Sequence, residues 1–128
     1  MTTITATFHV TTPMFLGGAD GKSAELRTPS LKGVLRFWWR ACAWSHFGGD
    51  LRRIRDEEER TFGGPGTGQS RVTIRIADTH VPHQRVTASS IGGAGSRYLG
   101  YGLAQNGRDA LPEDFDVTVT FTVRRADE

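Results

Sequence analysis

Threonine alternates with apolar residues in two segments that lie far apart in this chain. From Thr3 to Thr11, Ile4, Ala6, Phe8 and Val10 fall on one side, and Thr3, Thr5, Thr7, His9 and Thr11 on the other. From Asp116 to Arg124, Val117, Val119, Phe121 and Val123 face one way, and Thr118, Thr120 and Thr122 the other. A period of two is the period of a strand with one buried face. Arg71 to Ala77 repeats the pattern, with Val72, Ile74 and Ile76 inward. Three such strands form a sheet with one polar and one apolar face, and the apolar face needs a helical cover.

The cover lies between the first two strands. After Pro13 and Gly17-Gly18 the chain is irregular to about Arg27. Thr28 as N-cap and Pro29 at the first helical position then start a helix, which Gly48-Gly49 stops. At about 100° per residue, Leu31, Val34, Leu35, Trp38, Ala41 and Cys42 form its core face. Lys32, Arg36 and Arg40 lie opposite, with Trp39 beside them. A second, charged helix is expected over Asp50–Arg60, ended by Phe62-Gly63. Residues 78–90, broken by Pro82, read as irregular. The order strand, helix, strand, strand predicts one α+β domain over residues 1–128. Its fold is ferredoxin-like, an antiparallel sheet with a helix on one face. The last helix and strand of that β-α-β-β-α-β unit are missing, which reads as completion by another chain, as a fragment or as a minimal variant; a partner chain is expected to cover the rest of the apolar face.

Hydrophobic residues make up 37% and charged residues 23%, which excludes a disordered chain. Cys42 is the one cysteine, so no internal disulfide forms, and a reducing, cytoplasmic setting is expected. The N-terminus lacks signal-peptide character, and no apolar run approaches the ~18 residues of a membrane span. The net charge of +2 gives a weak overall field, but the cations are clustered. Residues 22–55 carry Lys22, Arg27, Lys32, Arg36, Arg40, Arg52, Arg53 and Arg55 against Glu25 and Asp50, a local excess that attracts polyanions.

Several motifs fail on chemistry. Gly63 to Ser70 has the spacing of a phosphate loop, but Gln69 replaces the lysine and a strand follows where a helix is needed. It reads as a turn. The glycines of 92–102 lack the preceding strand and following acid of a dinucleotide site, and no cofactor is expected. His80/His83 and Cys42/His46 bring no third ligand, so no metal is expected either.

The stretch Glu25–Trp44 joins three arginines and a lysine to three tryptophans around a helix start. Phosphates pair with such cations, and unstacked bases lie on such rings. The outward strand positions offer no ring except His9. Any RNA is therefore expected along the helix start and the glycine loops. The candidate contacts are Arg27, Ser30, Lys32, Gly33, Arg36, Trp39 and Arg40, with Arg97, Tyr98 and Tyr101 on the second loop. Two other readings stay open. His46, at the end of the basic helix, has the chemistry of a general acid for metal-independent RNA cleavage. Alternatively the basic helix docks an acidic protein.

Thr12-Pro-Met-Phe-Leu-Gly-Gly18 followed by Glu25-Leu-Arg-Thr-Pro-Ser-Leu-Lys-Gly-Val-Leu-Arg-Phe-Trp-Trp-Arg-Ala41 resembles the N-terminal part of the Cmr1 subunits of type III-B CRISPR effector complexes, within the RAMP (Cas7-like) superfamily. Glu59-Arg-Thr-Phe-Gly63 and Arg97-Tyr-Leu-Gly-Tyr-Gly102 are similar to shorter family elements. The resemblance covers roughly residues 4–102. It implies a ferredoxin-like RAMP fold and binding of guide RNA and of the target RNA paired with it. It further implies assembly with other Cas subunits for antiviral defence, in a non-catalytic role. By position it assigns Ser30, Lys32, Gly33, Arg36 and Arg40 to the RNA-facing helix. Family members run longer, with a second RAMP-like half.

Overall fold

The strands alternate as expected, and they pair in an order set by long connections. The computed structural model describes residues 1–77, 81–82, 84–87, 90, 98, 102 and 106–125. The elements are β1 (Thr2–Val10), α1 (Thr28–His46), α2 (Leu51–Phe62), β2 (Val72–Ile76), β3 (Val86–Thr87), β4 (Asp109–Ala110) and β5 (Phe115–Val123). β1, β5 and β2 form one sheet in that order, with β5 central, and β3 and β4 form a second, two-stranded sheet. Side-chain pairs run Thr3 with Thr122, Thr5 with Thr120, Thr7 with Thr118, and His9 with Asp116, so β1 and β5 are antiparallel. The bonds Arg124 N–H to Arg71 C=O and Ala77 N–H to Thr118 C=O make β5 and β2 antiparallel too. The mixed α+β, ferredoxin-like reading holds.

The chain divides into two units. The first holds residues 1–6, 28–75 and 119–128, and the second residues 7–27 and 76–118.

In the first unit, α1 starts at Thr28 itself, one residue before the start implied by Thr28 as cap. Asp50 caps α2, its carboxylate accepting from the backbone N–H groups of Arg52 and Arg53. Gly63 ends α2 at φ 82°. A Cβ there would stand 2.8 Å from Gly68 O and Ser70 N, so both the dihedral and the space require glycine. Ala43, Ile54, Phe62 and Val119 are buried. Ile4, expected inward, is 57% exposed. Among the described residues β1 pairs with β5 alone and is an edge strand, so alternation places its residues on the apolar face without covering them.

In the second unit, Val10, Ala24, Ala110, Leu111, Phe115 and Val117 are buried. β3 and β4 pair Val86 with Ala110 and Thr87 with Asp109. This pairing corrects the irregular reading of residues 78–90 at positions 86–87, because two-residue strands carry no detectable period. Phe8 is half exposed, for the same reason as Ile4.

The loop after β1 is held by Asp20, whose carboxylate accepts from the N–H groups of Lys22 and Ser23 and from the Ser23 hydroxyl. The Ser23 hydroxyl bond, then the backbone bonds, lower the Asp20 pKa from 3.8 to about 2. A carboxylate depressed by folding contributes fully above its unfolded value and stops contributing as pH falls through its folded value. This turn is therefore expected to hold throughout the neutral range and to loosen between about pH 4 and pH 2. A carbon-13 titration of the Asp20 carboxyl should show a midpoint near 2, and a midpoint near 3.8 would refute the bonding described.

Candidate nucleic-acid interface

The first turns of α1 and the chain entering β2 border an open cavity of about 430 Å³ in the first unit. Thr28, Pro29 and Lys32 form the helix wall. Gln69 and Ser70, at the end of the glycine loop, form another, and Val72, Thr73 and Ile74 of β2 complete it. Ser70 is held rigidly: its hydroxyl bonds both backbone groups of Val72, and its carbonyl accepts from the Arg124 guanidinium. Thr28, Lys32, Gln69 and Thr73 have no side-chain partner among the described residues. Loss of water, and then the nearby Arg36 charge, hold the Lys32 ammonium below its ordinary pKa. An incoming anion would relieve the second of these.

The next two cations of the stripe are engaged. Arg36 Nε lies 2.6 Å from Glu58 Oε1, and Arg40 Nε lies 3.0 Å from Glu58 Oε2. Glu58, on α2, is the buried charged residue of the first unit. It divides its two oxygens between the two arginines and leaves the trio with a net charge of one. Trp39 is also taken up by packing, with ring centroids 6.1 Å from Phe62 and 6.5 Å from Phe47.

The face of α1 thus departs from the helical-wheel expectation. Val34, Trp38, Ala41 and Cys42, assigned to the core, are exposed and Leu31 and Leu35 only half-buried, while Trp39, assigned to the RNA side, is partly buried against α2. The cause is α2, whose Glu58 and Phe62 draw the basic, Trp39-bearing side of α1 inward. Phe37 and Trp38 instead pack edge-to-face on each other in the open, with centroids 5.6 Å apart.

The remaining candidates are dispersed. Ser30 is partly exposed, close to the helix start. Gly33 is exposed, and a Cβ built on it would meet no atom within 4 Å. Glycine inside a helix costs about 1 kcal/mol relative to alanine, and nothing in the described packing requires it here. Arg27 belongs to the second unit, where its buried Nε has no hydrogen-bond partner among the described residues. Tyr98 is exposed, whereas Arg97 and Tyr101 lie outside the described residues, as do His80 and His83. His46 is exposed at the far end of α1, its ring against Phe47. At 1.5 Å per residue it stands about 21 Å along the axis from Lys32. Gln69 and Thr73 were not among the sequence candidates. No motif marks them, and only the fold brings them to Lys32. Among the described residues no helix is long and apolar enough to cross a membrane.

Comparisons with known proteins agree with this architecture. A family model described as the RAMP superfamily matches residues 7–121. The CRISPR system Cmr subunit Cmr1-2 of Pyrococcus furiosus is 42% identical over 64 residues, which is 50% of this chain and 34% of that protein. Cmr1-1 of the same organism is 40% identical over 58 residues, 45% of this chain and 17% of that protein. The chain therefore spans about a third or less of these relatives. The crystal structure of apo Cmr1 from Pyrococcus furiosus superposes with a TM-score of 0.72 at 22% identity, covering 98% of this chain and 40% of that one. At that identity the superposition speaks for the fold alone.

Proposed function

Because the chain belongs to the RAMP superfamily, we propose that it is a non-catalytic RNA-binding subunit of a type III CRISPR ribonucleoprotein. It contacts guide RNA and the guide–target duplex. The similarity to two Cmr subunits supports the assignment to such a complex. The observation that carries the RNA reading is Lys32, a cation with no partner among the described residues, in a cavity at a helix start. The first-turn amides of α1 point the same way as its charge. Gly33 beside it leaves room for a sugar-phosphate backbone. Arg36 and Arg40, joined to Glu58, add the net charge of their trio rather than two free contacts. Exposed Val34, Phe37 and Trp38 support contact with other Cas subunits, or with a second chain that completes the sheet.

Phosphate contacts make binding salt-dependent and carry no sequence preference of their own. Lys32→Ala should weaken binding to single-stranded RNA and reduce the slope of log affinity against log salt by about one. Fluorescence anisotropy at several salt concentrations measures both. An unchanged slope would remove Lys32 from the interface.

A further inference from the structure

Resting on the RNA-binding reading, we propose that the cavity at the start of α1 holds one unstacked nucleotide, with its phosphate on Lys32 and its base edge read by Gln69. A volume of about 430 Å³ lies in the range of small-ligand sites, roughly 300–1,000 Å³, and is too small for a base pair with its backbone. The lining is divided as a nucleotide is. Pro29, Val72 and Ile74 offer an apolar surface for the base, and Lys32 offers a charge for the phosphate. The Gln69 amide offers one donor and one acceptor group, the pair that matches an adenine edge. Because the Arg71 carbonyl and the Ala77 N–H bond β5, alternation turns the backbone groups of Ile74 outward from the sheet edge, adding a second donor and acceptor at the cavity. The polar side chains of Thr28, Lys32, Gln69 and Thr73 have no partner among the described residues, whereas Arg36 and Arg40 nearby are paired. Sequence-specific RNA recognition works in this way, by splaying out single bases.

The test uses the whole 128-residue chain and short fluorescent homopolymers of adenylate, cytidylate and uridylate. The wild type should prefer adenylate by roughly tenfold. Gln69→Ala should bring adenylate down to the level of the others with an unchanged salt slope, since Gln69 meets no phosphate. Gln69→Glu should move the preference to cytidylate, whose amino group a carboxylate accepts. If RNA binds but both variants keep the wild-type ranking, the nucleotide pocket is wrong and the RNA reading stands. If the wild type binds none of the three polymers at low salt, the RNA reading falls and takes the pocket with it.

Discussion

Phe62→Ala should destabilise the protein by about 3–5 kcal/mol, the range for removing a buried aromatic ring. Phe62 is 5% exposed and meets Trp39 edge-on, while the Arg36 guanidinium lies 5.9 Å from its ring centre. Its loss therefore opens a cavity and also removes the surface that orients both Trp39 and Arg36. Urea unfolding should show a lower midpoint, and the melting temperature should fall by roughly ten degrees or more. Phe62→Leu, which keeps most of the volume, should cost markedly less. Equal losses for the two variants would mean that the ring packing contributes little.

The second large effect is expected at Glu58. Replacing it by alanine leaves Arg36 and Arg40 side by side without their shared carboxylate. Removing one partner of a buried ion pair costs about 3–5 kcal/mol. Arg36 and Arg40 are 33% and 55% exposed, so water screens part of the loss, and about 2–3 kcal/mol is expected here. RNA binding should change in the opposite direction. The net charge of the trio rises from one to two, so affinity at low salt and the salt slope should both increase. Glu58→Gln should increase RNA binding in the same way with a smaller loss of stability, because the amide oxygen still accepts one bond. Calorimetry and anisotropy on the same preparations separate the two effects. A loss of RNA affinity in both variants would show that Glu58 positions the arginines for RNA rather than withholding them.

Strands and helix limits were legible because they depend on local chemistry. The period of two marked β1, β2 and β5, the Thr-Pro pair marked the start of α1 to within a residue, and Asp50 and Gly63 bracketed α2. What the wheel assigned wrongly was the side of α1 that packs inward. Trp38 and Trp39 are neighbours of equal hydrophobicity, and the choice between them is made by Phe62 and Glu58, about twenty positions further on. An isolated helix projection sees charge as solvent-facing, and it has no means of anticipating a buried carboxylate that draws two arginines inward. The cavity was half legible. Lys32 was visible as a cation at a helix start. Gln69 was visible only as the residue that spoiled a phosphate-loop pattern. The segment from Gly63 to Ser70 is indeed a turn, and the direction in which that turn delivers Gln69 is a property of the fold.

The threonine ladder between β1 and β5 has a consequence for how the molecule is made. Its paired threonines stand 111 to 119 positions apart, and among the described residues β5 is the only sheet neighbour of β1. A ribosome therefore releases β1 long before its partner exists, and the helices and β2 must form while that strand waits. β1 carries neither a lysine nor a proline to discourage other pairings. Closing so long a loop is entropically costly and belongs late in folding. During synthesis, then, an edge strand of the finished sheet is also the segment that stays unpaired longest.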